Sequence, residues 1–135
     1  MEILVVDDEP RVLAAIERTL MIAGGDWTCR FASSGQAALE MLQTRPADVV
    51  ISDMRMPFMD GAELLSRVRE QWPGTIRIIL TGYSEMEATM RMLEVAHQFV
   101  AKPCDSAAMF AAVESAVGLR TLFQDPRVVE VVGRI

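Results

Sequence analysis

Short runs of apolar, mostly β-branched residues alternate along this chain with segments in which apolar residues recur at helical spacing. The apolar runs cover residues 3–6, 27–32, 49–51, 76–80 and 98–101. Runs this short and this apolar are typical of buried strands, and each is followed by a helical pattern. The alternation predicts five strand–helix units in one sheet of parallel strands with right-handed crossovers.

Helix start and stop signals separate the predicted strands from the predicted helices. Residues 7–10 combine acidic side chains with a proline, which suits the first turn of a helix. A methionine-rich fourth helix is expected over residues 84–93. Capping side chains are expected at Ser33 or Ser34 for the second helix and at Asp105 or Ser106 for the last one.

The fold class is therefore α/β, a (βα)5 doubly wound parallel sheet with helices on both faces. The flavodoxin-like strand order 2-1-3-4-5 is the expected arrangement of such a sheet. With 135 residues the chain is long enough for one domain of ordinary size around a single core, and too short for a second full domain.

The composition limits the classes of partner and the cellular location that we expect for this protein. The net charge of −6 argues against direct binding of nucleic acid, which requires clustered Lys and Arg. Apolar residues make up 51% of the chain, yet no charge-free run of 18 residues and no signal-peptide pattern occurs. We therefore expect a cytoplasmic protein without a membrane segment. Cys29 and Cys104 lack metal-ligand spacing and are expected to be reduced.

Polar side chains capable of phosphate chemistry follow four of the five predicted strands. Asp7 and Asp8 follow the first, Asp53 the third, Thr81 the fourth and Lys102 the fifth. In open α/β sheets, ligands bind beyond the carboxyl ends of the strands, where the strand order reverses. One crevice is therefore expected to collect three carboxylates, a hydroxyl and an ammonium group.

Such a crevice suits a hard cation and a phosphoryl group. Clustered carboxylates repel one another, and a divalent cation with oxygen ligands, of which Mg²⁺ is the natural candidate, keeps them ionised. Asp53 is then the expected nucleophile, while Lys102 and Thr81 can bind phosphoryl oxygens. A single Asp after a strand is more often a helix cap or turn residue, so the joint placement carries the prediction.

Four motifs in order resemble the receiver (CheY-like) family of two-component response regulators. They are VVDDEP, DMRMPFMDG, LTG and KP, and the match covers about residues 2–119. The resemblance implies that a sensor histidine kinase phosphorylates Asp53. It implies that Asp8 and Asp53 bind Mg²⁺ with the carbonyl of Arg55, and that Asp7 assists through water. It also implies that Thr81 and Lys102 bind the phosphoryl group.

The resemblance also implies a switch and an output. Thr81 is the switch threonine, and Phe99 occupies the aromatic switch position without the hydroxyl of a tyrosine. State-dependent contacts, including a homodimer, are expected on the face formed by the fourth helix, fifth strand and fifth helix (α4-β5-α5), or through the C-terminal tail. Residues 80–105 and 119–126 resemble receivers joined to an HDOD output domain, a degenerate relative of HD phosphohydrolases. Residues 1–119 are then the receiver domain, and 120–135 a helical linker or tail towards an output domain beyond residue 135.

Two other functions remain open from the residues alone. A Mg²⁺-dependent aspartate-nucleophile phosphatase or phosphotransferase would also use an aspartate nucleophile and a lysine. It needs DxDxT after the first strand, where this chain has Asp7-Asp8-Glu9-Pro10. A silent adaptor would usually have lost the acidic pair, the acceptor or the lysine. We expect a switch rather than an enzyme, with only self-limited autophosphorylation and autodephosphorylation.

Overall fold

A computed structural model describes residues 1–23, 26–81, 96, 98–101 and 106–124. The strands are β1 (Glu2–Val6), β2 (Thr28–Ala32), β3 (Val49–Asp53), β4 (Ile76–Thr81) and β5 (Gln98–Ala101). The helices are α1 (Pro10–Ala23), α2 (Gly35–Thr44), α3 (Gly61–Gln71) and a C-terminal helix, Ser106–Gln124. The expected methionine-rich helix and the tail after Gln124 lie outside the described residues.

The five strands form one parallel sheet in the order β2-β1-β3-β4-β5. This confirms the predicted α/β class and the flavodoxin-like strand order. The order reverses at β1, because β2 lies on one side of it and β3 on the other. The carboxyl ends of β1 and β3 therefore flank the point at which such folds bind ligands.

The core has two layers, one on each face of the sheet. The apolar strand residues alternate between the faces, as the two-residue repeat of a strand requires. The face covered by α2 and α3 contains Leu4, Val6, Val50 and Ile79. The face covered by α1 and the C-terminal helix contains Ile3, Val5, Val49, Ile51, Ile76, Ile78 and Leu80. Burial on both faces explains why the strands are continuously apolar in sequence.

The second helix starts at a serine, as expected, and the structure identifies which one. Ser34 is the N-cap of α2, and its hydroxyl accepts a hydrogen bond of 3.0 Å from the backbone N–H of Ala37. The second strand begins one residue later than predicted. Trp27 lies just before it and stacks on Phe110 of the C-terminal helix, with ring centroids 5.6 Å apart.

The C-terminal helix continues without a break across residue 119, which was the predicted end of the receiver domain. Its buried side is formed by Met109, Ala112, Val113 and Ala116. The division between a domain and a linker stays a prediction. No helix in the described segments has the length and apolar content that a membrane span requires.

Candidate functional site

The register of the sheet brings the ends of the strands together at one edge. Val6, the last residue of β1, is level with Ser52 of β3, and Asp53 is level with Leu80 of β4. On the other side of β1, the backbone N–H of Asp7 donates a 3.2 Å hydrogen bond to the carbonyl of Ala32. The residues that follow β1 and β3 are thus fixed beside each other by backbone hydrogen bonds.

The carboxylates of Asp7, Asp8 and Asp53 form a cluster at this edge, as predicted. One ligand atom of each lies within 4.8 Å of the others. Asp7 is 1% exposed and Asp53 is 6% exposed, whereas Asp8 is half-buried at the mouth of the cluster. The three residues are 46 positions apart in sequence at most, and only the parallel pairing of β1 with β3 brings them together.

Backbone N–H groups orient the two buried carboxylates. Oδ1 of Asp7 accepts a 2.9 Å hydrogen bond from the N–H of Glu9, at the residue that leads into α1. Oδ1 of Asp53 accepts one of 3.0 Å from the N–H of Met54. These bonds partly replace the hydration that each carboxylate loses on burial, and they restrict the rotation of both side chains.

Glycine at position 61 lets α3 approach the acceptor strand. The N–H of Gly61 donates a 2.9 Å hydrogen bond to the carbonyl of Met54. A Cβ at this position would lie 2.4 Å from the carbonyl oxygen of Asp53 and 2.7 Å from Cδ1 of Ile79. Only a residue without a side chain fits this space. The β3–α3 loop (residues 54–60) is consequently held tightly against the end of β3.

The side chain of Asp60 ends this loop and starts α3. Asp60 is the N-cap of the helix, and its Oδ1 accepts a 2.8 Å hydrogen bond from the N–H of Glu63. A capping carboxylate also interacts favourably with the positive end of the helix dipole. Asp60 therefore has a structural role, which distinguishes it from the three carboxylates of the cluster.

The donor set of the cluster fits a hard divalent cation. Three carboxylates offer oxygen ligands, the type that Mg²⁺ and Ca²⁺ prefer, and thiol or imidazole ligands are absent from this group. Crowded negative charges are unfavourable unless a cation or a proton offsets them. The described residues can therefore hold a metal ion between β1 and β3.

The remaining predicted residues lie on neighbouring elements or outside the described part of the chain. Arg55 follows Asp53 in the β3–α3 loop with an exposed side chain. Thr81 ends β4, and its partner in β5 is Ala101, which directly precedes Lys102 in sequence. Phe99 lies in β5, level with Ile79. Lys102 itself lies outside the described residues, so its position at the site stays a prediction.

Two features of this edge were not predicted from the sequence. One is the close approach of Gly61 to Asp53, for which the Asp60-Gly61 pair before a helical pattern was the available signal. The other is Phe58, a fully exposed aromatic residue with a φ of 67° in the middle of the loop. Its neighbours in sequence are a proline and two methionines, and this local sequence does not predict a positive φ at a phenylalanine.

The fold and the site together define a flavodoxin-like α/β protein with a carboxylate site for a hard cation where the strand order reverses. The chain belongs to the response regulator receiver domain family, whose sequence profile matches residues 3–114. Receiver domains are the phosphoacceptor switches of two-component systems, and histidine kinases are their partners. The family assignment does not favour the alternative of a dedicated phosphatase.

Known proteins and solved structures agree with this assignment. The chain is 35% identical over 130 residues to the DNA-binding transcriptional regulator NtrC of Escherichia coli K12, a match that covers 96% of the chain and 27% of that protein. A receiver domain protein from Clostridium thermocellum superposes with a TM-score of 0.81 at 32% identity, covering 91% of this chain and 98% of that one.

A second solved structure is similar to the same degree. The signal receiver domain of an HD domain-containing protein from Pseudomonas fluorescens Pf-5 gives a TM-score of 0.81 at 31% identity, covering 89% of this chain and 96% of that one. By contrast, the chain spans only about a quarter of the length of the curated relatives it matches.

Proposed function

We propose that Asp53 is the phosphoacceptor of this receiver domain and that it takes the phosphoryl group from a phosphohistidine of a sensor histidine kinase. The observation that carries the proposal is the cluster of Asp7, Asp8 and Asp53, with ligand atoms within 4.8 Å of one another at the carboxyl edge of the sheet. Asp53 terminates the strand next to the point where the strand order reverses, which is where an open α/β sheet presents its reactive group.

The reaction requires a correctly aimed carboxylate. An oxygen of Asp53 attacks phosphorus, the phosphorus–nitrogen bond of the donor breaks, and an acyl phosphate forms on Asp53. The N–H of Met54 holds Oδ1 of Asp53, and the backbone next to it is packed against Gly61. The carboxylate is thereby positioned before the donor arrives, which reduces the entropy cost of the transfer.

A divalent cation completes this site in the proposal. Asp8 and Asp53 would hold Mg²⁺ together with the carbonyl of Arg55, and Asp7 would assist through water. Bound Mg²⁺ supplies positive charge that offsets the carboxylates and the phosphoryl oxygens in the transition state. Thr81, by its hydroxyl, and Lys102, by its ammonium group, bind the transferred phosphoryl group. The acyl phosphate is later hydrolysed on the same site, so the cycle is self-limited.

Phosphorylation then changes the contacts of the domain. We assign Thr81 and Phe99 to the switch, because Thr81 belongs to β4, which neighbours the acceptor strand β3, and Phe99 belongs to β5, which neighbours β4. The state is reported through a phosphorylation-dependent homodimer or through an output domain beyond residue 135. An HDOD-type output is the first candidate, and the similar receiver of an HD domain-containing protein supports it. We place this signalling in the cytoplasm, with no direct contact to nucleic acid.

Labelling with a small phosphodonor tests the acceptor. The wild-type chain is incubated with phosphoramidate and Mg²⁺, and intact-mass spectrometry counts the phosphoryl groups. We expect one group in the wild-type chain and none in Asp53→Asn. Asp60→Asn is the matched control, because Asp60 is an aspartate of the same loop whose side chain caps α3. This substitution should not alter labelling. Equal labelling of Asp53→Asn and the wild type would show that the acceptor is another residue.

Light scattering tests the reporting step. The chain is measured alone and with beryllofluoride and Mg²⁺, which mimic the acyl phosphate, and a form ending at Gln124 is measured beside it. A mass change that depends on the mimic and on residues 125–135 is expected if the tail carries the dimer contact. Identical monomers in all samples would remove the homodimer from the proposal and leave the output domain as the partner.

A further inference from the structure

Among the described residues at the carboxyl edge of the sheet, Phe58 combines a positive φ with a fully exposed side chain. Its side chain is fully exposed, although it is one of the largest apolar side chains in the chain. Its φ of 67° lies in the left-handed region, which a bulky residue rarely adopts. The N–H of Met59 donates a 2.7 Å hydrogen bond to the carbonyl of Pro57, so Phe58 is the central residue of a strained three-residue turn.

Buried side chains on both sides hold this turn in place. Met56 and Met59 of the same loop are buried in the core, and only Pro57 and Phe58 project outwards between them. Met59 packs so closely against Gly35 at the start of α2 that a Cβ on Gly35 would lie 2.7 Å from its sulfur. The turn therefore presents Phe58 in a defined direction rather than as a flexible loop tip.

A groove lies beside Phe58. It has a volume of about 310 Å³, and its lining includes Ser34 and Gln36 at the start of α2, Phe58 and Met59 of the β3–α3 loop, and Glu63 and Arg67 of α3. Glu63 and Arg67 form an ion pair of 2.9 Å on its wall. Because Ser34 and Gln36 follow β2 and Phe58 follows β3, the groove lies at the same edge of the sheet as the carboxylate cluster.

The burial of Asp53 determines how closely a phosphodonor protein must approach this edge of the sheet. Asp53 is only 6% exposed, so a protein donor must bring its phosphohistidine down to the end of β3. The surface around that histidine then lies next to the loop that begins directly after Asp53 and carries the exposed Phe58. A small phosphodonor needs no such contact. A solvent-exposed aromatic side chain beside a groove, carried on a fixed backbone turn, is the kind of residue that dominates protein interfaces.

We propose that Phe58 is a docking anchor for the phosphodonor protein, a histidine kinase domain, and that the groove between α2 and the β3–α3 loop receives a side chain of that donor. The inference rests on the proposed role of Asp53. Phe58 is a positioning residue: it does not touch the reacting atoms, and it increases the rate of transfer only from a protein donor. The turn fixes the backbone that carries the ring, so little backbone freedom of the loop is lost on binding.

Two phosphodonors separate docking from chemistry. A panel of autophosphorylated kinase cores is first screened on the wild-type chain, and the fastest donor is retained. We expect Phe58→Ala to lower the rate of transfer from this kinase by about tenfold when the concentration of the receiver chain is subsaturating. The loss should come mainly from a higher KM for the receiver chain. Labelling by phosphoramidate should be unchanged. Phe58→Tyr should restore transfer from the kinase, since it retains the aromatic ring.

Two further variants control for exposure and for backbone strain. Met21→Ala removes an apolar side chain that is 73% exposed at the end of α1, at the opposite edge of the sheet, and should leave both donors unaffected. Phe58→Gly should transfer as slowly as Phe58→Ala, and yet unfold at higher denaturant concentration because glycine accepts a positive φ. This combination excludes a loss of folding as the cause of slow transfer.

Several outcomes would overturn the proposal. It fails if Phe58→Ala accepts phosphate from the kinase as fast as the wild type, or if it slows both donors equally, which would mean that the ring acts on the site itself. It also fails if phosphoramidate labels the wild-type chain but no kinase core does. If neither donor labels Asp53, the proposed function itself is wrong, and that result is distinct from the others.

Discussion

Gly61 and Asp53 are packed so closely that a Cβ on the glycine would lie 2.4 Å from the carbonyl oxygen of the aspartate. The contact joins the first residue of α3 to the last residue of β3, across the β3–α3 loop. Both partners in this contact are backbone atoms or directly attached to the backbone. Relief of a clash here requires a shift of the strand end, the helix or both.

We therefore expect Gly61→Ala to destabilise the protein by about 1–3 kcal/mol, as overpacking of a tight site does. Urea denaturation measures the change in the free energy of unfolding. Gly118→Ala is the matched control, because Gly118 lies in the C-terminal helix and a Cβ added there would meet nothing within 4 Å. That control should be stabilised by about 0.5–1 kcal/mol through helix propensity. Equal stability of Gly61→Ala and the wild type would disprove the close contact.

Neutralising one carboxylate of the cluster should stabilise the metal-free protein. The ligand atoms of Asp7, Asp8 and Asp53 lie within 4.8 Å of each other, and repulsion between unit charges at this distance amounts to on the order of 1–3 kcal/mol at a partly solvated site. We expect Asp53→Asn to unfold at higher urea concentration than the wild type in the presence of a chelator. The amide oxygen of Asn can still accept the hydrogen bond from Met54.

Addition of Mg²⁺ should reverse this order. The wild-type chain should gain stability with rising Mg²⁺, because a ligand that binds only the folded state shifts the unfolding equilibrium, and Asp53→Asn should gain less. Asp26→Asn is the control, since Asp26 is exposed near the start of β2, at the other edge of the sheet. A Mg²⁺ response of Asp53→Asn as large as that of the wild type would place the cation elsewhere.

The thiol of Cys29 should react slowly at neutral pH. Burial raises the pKa of this thiol, and the nearby carboxylates of Glu17 and Glu2 raise it further, while the α-amino group of Met1 opposes them. We expect alkylation by iodoacetamide at pH 8 to be slower in the folded Cys104→Ser protein than in the same protein unfolded in urea. Glu17→Gln should speed the reaction in the folded state only.

The same shift makes stability depend on pH. The pKa of the Cys29 thiol is higher in the folded state than in the unfolded state. The contribution of this thiol to the free energy of unfolding is therefore fully present below the unfolded-state pKa of about 8.5, and it is lost as the pH rises through the folded-state pKa. Cys29→Ala should unfold with a weaker pH dependence above pH 8.5. An identical slope in the two proteins would contradict the assignment.

The N-cap of α3 should contribute about 1 kcal/mol to the free energy of unfolding. Asp60→Ala removes the side-chain oxygen that accepts from the N–H of Glu63, and N-cap deletions cost about 0.5–2 kcal/mol. Asp60→Asn keeps the acceptor and should retain most of the stability. Urea denaturation of the two variants separates the cap from the charge. If Asn is as damaging as Ala, the stabilisation comes from the charge at the helix terminus and the capping hydrogen bond contributes little.

The sequence by itself determined the sheet and the carboxylate cluster. Five apolar runs followed by helical patterns predict parallel strands, and parallel strands end at the same edge. Asp7 and Asp8 after one run and Asp53 after another therefore had to meet, and in the structure they do. The local chemistry of the chain was sufficient for these conclusions because strand alternation and strand ends are local properties.

Tertiary structure alone decided how the edge is built. The tight space at Gly61 and the positive φ of Phe58 follow from contacts between segments distant in sequence and from loop geometry. At the opposite edge of the sheet, near the start of β4, Arg77 is buried and donates to the carbonyls of Pro73 and Thr75. The burial of Arg77 lowers the pKa of its guanidinium, with a further contribution from Arg69. Such features depend on which atoms packing brings within van der Waals distance, and no periodicity in the sequence encodes that distance.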